Sequence, residues 1–348
     1  MRSITYRMLR SLILTNQFLT PSTNGNGKND MIAVIKAVGG LQWGAEDLSL
    51  LSRLNYFESR WVREAVEKKE LIEVHVLRGG LRIIPTEDYP NFFAGTREVI
   101  ERIPDRRLII LEKMTDDHRH ILHLLSKEGP LTRKEVRQKT NLPNCGKLIN
   151  QLLVEGKVIR AGRRKNLVLI DTLENWLPQT DLEKVSPQES RLWMARKFLT
   201  VYGPSTASEI AHWAGWTAIR GREVLFQLTE EECIEEVALN GSQRYMLSST
   251  EFPPEENIPY VRLLHNDDEV HLACSGRCRE LFGFDWKYRF STTAAVLQNN
   301  RIIGEMVINR RKNILFVSQS PSGVDRPMLQ EQVDRLGKLW HATCDRKE

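Results

Sequence analysis

Apolar positions in this chain recur with two periods, and the switch between them divides it into blocks. Tyr6, Leu9, Leu12 and Ile13 fall at helical spacing and predict a helix over residues 5–20. The stretch PSTNGNGKND that follows is polar and rich in Gly and Asn, so it reads as a loop. Helices then fit 30–38, 46–56 and 59–69. Near Leu71 the period drops to two: Ile72, Val74 and Val76 alternate with Glu73, His75 and Leu77. Gly79-Gly80 follows, and Leu81–Ile84 returns, which predicts a hairpin with a two-residue primed turn. Residues 88–110 are mixed, and Arg102–Arg107 reads as a connector.

A second block starts near Thr115. Ile121, Leu122, Leu124 and Leu125 mark a helix over 116–127 that ends at Gly129-Pro130. Thr132-Arg133-Lys134-Glu135 is a capping box, in which threonine and glutamate each satisfy a free amide of a helix start. A helix over 145–155 buries Leu148, Ile149, Leu152 and Leu153, and Gly156 ends it. A hairpin follows, with residues 161–166 as its tip.

After the linker DLEKVSPQES the pattern returns. A helix over 188–202 leads to Gly203-Pro204, a second box at Thr206–Glu209, a helix through 220–228, and strands 234–239 and 243–247 joined at Asn240-Gly241. GPLTRKEV at 129–136 and GPSTASEI at 203–210 align without a gap. Helix, turn, helix, hairpin is therefore an internal repeat, and its order is that of a winged helix. The first block is a more divergent third copy. From Ile258 the chain changes to short strands at 259–264, 268–273, 293–298, 301–308 and 313–318, then a helix at 325–341. The expected fold is α+β: an N-terminal helix and loop (1–30), three tandem winged-helix units (31–112, 113–180, 186–257) and a small β-rich domain (258–348).

A chain of 348 residues exceeds one small core, in keeping with several domains. The net charge of +5 is compatible with a polyanionic partner, and clustering of cations matters more than the total. The 5 cysteines are odd in number and scattered, which fits a reducing compartment. Cys274 and Cys278 lie near His265 and His271, but CxxxC is not a zinc spacing, so no metal and no cofactor is expected. No apolar run is long enough to span a bilayer. The basic start reads as an amphipathic helix rather than a signal peptide, with a mitochondrial presequence as the alternative. The cytoplasm is the expected location.

In a winged helix the second helix of the turn enters the major groove and the wing touches backbone. In the second unit that helix offers Lys147, Asn150 and Gln151, and its wing carries Arg163, Arg164 and Lys165. Consecutive cations at a hairpin tip suit phosphates, and the other reading is a solvated, charged turn. Arg78 and Arg82 bracket the first hairpin tip with the same two readings. Duplex DNA is the expected partner, nucleoid-associated when bound, and no oligomer is required.

Several segments carry a family resemblance: GGLQWG at 39–44, LLSRL at 50–54, RGGLRIIPTEDYP at 78–90, RKFLTVYGPSTASEIAHWAG at 196–215, LLHNDD at 263–268 and NNRIIGEM at 299–306. Together they cover most of the chain, which resembles the AlkZ/YcaQ family of DNA glycosylases. That resemblance implies three winged helices arranged as a C, binding duplex DNA in a concave face. It implies hydrolysis of the N-glycosidic bond of alkylated or crosslinked bases. Gln42 matches the family's first catalytic glutamine, and the second catalytic position falls on Gly44. Asp268 matches the aspartate of a later motif.

Hydrolysis of this bond passes through a sugar cation, so an oxygen acceptor must orient water and stabilise positive charge. If 42–47 are helical, Glu46 lies one turn after Gln42, and a Gln42/Glu46 pair replaces the missing member. The other reading makes Glu46 and Asp47 first-turn acids favoured by the helix dipole. Trp43 either stacks on a base or packs in the core. The alternative function is a DNA-binding regulator or damage sensor without glycosylase chemistry.

Overall fold

The computed structural model describes residues 1–100, 114–286, 293–311, 314–318, 321–341 and 343–346. The Arg102–Arg107 connector lies outside them. The fold is mixed α+β. Contacts divide it into two units, Met1–Ser59 with Ala195–His212 and Thr217–Glu348, and Arg60–Met194 with Trp213–Trp216.

In the second unit, strands Gly80–Pro85, Leu71–Val76, Val158–Arg164, Leu167–Thr172 and Leu131–Thr132 lie side by side in that order. The two hairpins meet where Glu73 pairs with Arg160, and their side chains form an ion pair of 2.8 Å. The first hairpin does not turn at Gly79-Gly80. Val76 pairs with Gly80, so Leu77, Arg78 and Gly79 connect the strands, all with positive φ. In the second hairpin the strand runs on through Arg164, and only Lys165-Asn166 turns the chain. Ile121, Leu125, Val136, Ile149, Leu152, Val158 and Ile170 form one buried cluster beneath this hairpin.

Residues 88–110, mixed in sequence, contain a helix, Tyr89–Ile100. Pro90 and Gly95 mask its periodicity, but its Phe92 packs edge-on against Trp193 with centroids 5.2 Å apart, and Trp216 Nε1 donates to Gly95 O at 2.8 Å.

In the first unit, strand Arg2–Ile4 runs parallel to Ile234–Leu239, which pairs antiparallel with Ser242–Leu247. Three residues carry no readable period, so this strand was not predicted. The turn is Asn240-Gly241, both at positive φ, as the dipeptide requires. Helix Tyr6–Asn16 buries Leu9, Leu12, Ile13 and Leu14. Its Arg10, 5% exposed, donates to the Glu255 carboxylate at 2.5 Å and to Leu281 O at 3.1 Å.

The repeat seen in sequence has a geometric counterpart. Thr132 N and Thr206 N each donate to a glutamate three residues on at 2.7 Å, and Glu135 N and Glu209 N each return a bond of 3.2 Å. The residue before each threonine pairs with the second strand of its hairpin: Leu131 with Ile170, Ser205 with Tyr245.

The five-stranded sheet of the first unit has the order Val261–His265, Thr293–Gln298, Arg301–Arg311, Ile314–Ser318, Thr343–Arg346. Residues 268–273 are not the strand that Val270 and Leu272 imitate. They lie in helix Glu269–Cys274, whose start is fixed by Asp268 accepting from Val270 N at 3.0 Å. Helix Glu46–Arg53 enters the same core. Its Leu48 and Leu51 pack among Val261, Leu263, Val296 and Met306 of the sheet and Leu329, Val333 and Leu336 of helix Arg326–Leu339.

Candidate active site

The site is built at the end of helix Lys28–Val38, where Gly39 and Gly40 leave the helix at positive φ and hand the chain to Leu41-Gln42. Leu41 is fully buried and Gln42 half-buried. Ala45 N donates to Gln42 O at 3.1 Å, closing a turn through Trp43 and Gly44. Gly44 has φ +90°, a conformation that side chains disfavour, and a Cβ placed there meets nothing within 4 Å. The second motif position therefore opens onto empty space.

Helix begins only at Glu46. Gln42 and Glu46 do not share a helix face, which corrects the pairing expected from a helical 42–47. The Glu46 carboxylate turns back and accepts from Gly44 N. That is the behaviour of an acid closing a helix start, where amides are free and the dipole favours negative charge. Asp47 is also committed: it accepts from Trp340 Nε1 at 3.0 Å. Trp43 is 37% exposed, so it is not a core tryptophan.

Helix Glu46–Arg53 is fixed along its length. Arg53 and Asp268 are both 0% exposed and meet bidentately, Nη1 to Oδ2 at 2.8 Å and Nη2 to Oδ1 at 2.9 Å. Arg53 also donates to Gln17 Oε1 at 2.7 Å and Ser49 O at 2.9 Å, and Ser49 Oγ donates to Asp268 at 3.2 Å. Burial by itself would push Asp268 up. The Arg53 charge and hydrogen bond, the Val270 amide and the Ser49 hydroxyl outweigh it and hold this carboxyl below its ordinary range. At the other end, Arg335 donates to Leu51 O, Leu54 O and Asn55 O at 3.2, 2.6 and 3.1 Å, satisfying carbonyls the helix leaves open.

The next residue after Asp268 completes the arrangement. Glu269, 1% exposed, accepts from Gln42 N at 3.0 Å. Two successive carboxylates thus hold the helix and the Gln42 strand. Asp268 was legible as a motif residue. Glu269 was missed because its segment read as a strand and its partner is 227 positions away.

The cysteine-histidine cluster is committed elsewhere. The two ring nitrogens of His271 face Asn266 O at 2.6 Å and Trp286 O at 3.0 Å, and Cys278 Sγ donates to Cys274 O at 3.1 Å. Among the described residues, no group of three His, Cys, Asp or Glu side chains is placed to hold a metal ion.

The expected DNA contacts separate into two groups. Lys147, Lys165 and Arg78 are exposed, and Asn150 is half-buried. Arg164 is exposed beside Lys165, and Arg163 is half-buried. Both arginines lie in a strand, where neighbours point to opposite faces. Arg163 comes within 3.7 Å of Glu73, and Arg164 pairs with Glu135 at 2.8 Å. Gln151 is turned inward, its Oε1 3.1 Å from His118 Nε2. Arg82 is 4% exposed, so it does not present its charge at the hairpin tip.

This mixed α+β fold is similar to a solved one, Streptomyces sahachiroi DNA glycosylase AlkZ, at 14% identity, with 100% of each chain covered and a TM-score of 0.75. At that identity the likeness speaks for the fold. A family model described as DNA glycosylase AlkZ-like matches residues 35–339, and the chain belongs to that family. A comparison with curated proteins returned no match. Among the described residues, no helix is long and apolar enough to cross a membrane.

Proposed function

We propose that this protein binds duplex DNA through tandem winged-helix units and hydrolyses the N-glycosidic bond of alkylated bases. The matched capping boxes and hairpin pairings at 131–132 and 205–206 support winged-helix units at 113–180 and 186–257. The family match supports the substrate class. Four described cysteines are free thiols, which fits action in the reducing cytoplasm.

The observation that carries the catalytic reading is the anchoring of Gln42. Its peptide is tied to a buried carboxylate, while its side chain stays half-buried beside an open turn. In this reading the Gln42 side-chain oxygen accepts a hydrogen bond from the attacking water and faces the sugar cation as it develops, while the charged base leaves neutral and the water's proton passes to solvent. N3- or N7-alkylated purines already carry positive charge and leave without a strong general acid. One well-placed acceptor then suffices, with Trp43 presenting an indole face to a base.

A second reading is favoured by Gly44. With no side chain at the second motif position, the chain acts as a non-catalytic DNA-binding sensor or regulator. Abasic-site formation on duplex DNA carrying 7-methylguanine, measured beside a binding titration against salt, separates the two. Product above the no-enzyme rate supports hydrolysis. Salt-dependent binding without product leaves the second reading.

A further inference from the structure

We propose that Glu269 is a positioning residue for Gln42, a role that rests on the catalytic reading of Gln42 given above. The loop Gly39–Ala45 has glycines at positive φ at 39, 40 and 44, so its backbone gains little rigidity from its own residues. An external anchor fixes the peptide from which the Gln42 side chain projects. The Glu269 carboxylate supplies it, accepting from the Gln42 backbone N–H at 3.0 Å and withdrawn from water at 1% exposure. A bond in such surroundings is not contested by solvent.

The anchor is itself fixed. Glu269 is the first residue of helix Glu269–Cys274, and the residue before it, Asp268, caps that helix while holding Arg53 in a bidentate pair. Arg53 closes the helix that begins four residues after Gln42. Asp268 and Glu269 therefore act as a rigid two-residue clamp: one carboxylate sets the helix, the other sets the strand before it. Their backbones are joined by a single peptide unit. A shift of the Gln42 oxygen by ~1 Å is enough to cost ~100-fold in a reaction that depends on orienting water.

The test uses the full chain with Glu269→Ala, Glu269→Gln and Glu269→Asp. The first readout is amide hydrogen exchange at Gln42, which needs no activity. Loss of this bond predicts exchange about tenfold faster at Gln42 in Glu269→Ala, with strand Ile234–Leu239 unchanged. Glu269→Gln, which keeps an oxygen at the same reach, restores most of the protection. Should Glu269→Ala fail to fold, Glu269→Asp withdraws the oxygen by one methylene and predicts the same local loss. The second readout is single-turnover abasic-site formation on 7-methylguanine duplex. It is expected to fall roughly 100-fold in Glu269→Ala with DNA Kd within about twofold, and to recover in Glu269→Gln. Unchanged Gln42 exchange in Glu269→Ala overturns the proposal. So does exchange that rises everywhere together with lost DNA binding, since that marks general unfolding. Faster local exchange in a protein whose wild type makes no abasic product supports the clamp and removes the catalytic reading.

Discussion

Gln42 and Glu269 are joined by a 3.0 Å hydrogen bond across 227 positions of sequence. The bond ties Gln42, proposed above as the water-orienting residue, to a helix in the C-terminal part of the chain, next to the fully buried Arg53–Asp268 pair. That pair accounts for two motifs at once, LLSRL at 50–54 and LLHNDD at 263–268.

Breaking this pair from one side leaves an uncompensated buried charge. Asp268→Asn is expected to cost about 3–5 kcal/mol in urea unfolding. The folded carboxyl is held below its ordinary value, so its contribution is complete above the unfolded-state pKa of about 3.9 and is lost as pH falls through the folded value. The gap between wild type and Asp268→Asn is therefore expected to stay constant from about pH 8 to pH 5 and to narrow below about pH 4.

Glu46 closes a helix start instead of partnering Gln42. Glu46→Ala is expected to lower stability by about 0.5–1 kcal/mol and to leave abasic-site formation within about threefold of wild type. A loss approaching that of Gln42→Ala would return Glu46 to the chemistry.

Gly44 has room for a side chain but a backbone that resists one. Gly44→Ala and Gly44→Asn are each expected to cost about 1–2 kcal/mol in thermal unfolding, from φ strain alone. Only the asparagine places a second carbonyl oxygen beside Gln42. It is expected to raise the single-turnover rate, and alanine is not.

DNA affinity is expected to depend most on exposed cations that no carboxylate of the same unit already faces. Lys147→Ala and Lys165→Ala should each weaken binding across all sequences and reduce the slope of log K against log salt by about one. Arg164→Ala should change the slope less, because Arg164 already faces Glu135. Equal effects from all three would mean that the Arg164–Glu135 pair opens on binding.

Periodicity located most helices to within a few residues, because Leu and Ile stripes report burial directly: 145–155 against Cys145–Val154, 325–341 against Arg326–Leu339. The capping boxes at Thr132 and Thr206 were legible because each is a contact within three residues. Segments whose partners lie far away were not. The strand Arg2–Ile4 exists through pairing with Val237–Leu239, and the start of Glu269–Cys274 depends on a cap that an alternating Val270 and Leu272 conceal. Gln42 and Asp268 were readable as motif residues. Their connection was not, since Glu269, Arg335 and Trp340 reach the site only after the chain has folded back on residues 41–55.

The most direct test of the account is the single-turnover yield of abasic sites from a 7-methylguanine duplex with wild type and Gln42→Ala at equal DNA occupancy. The account predicts product from wild type and a loss of roughly 100-fold or more in Gln42→Ala with Kd unchanged. Equal yields from the two proteins, or none from wild type while DNA is bound, would contradict it.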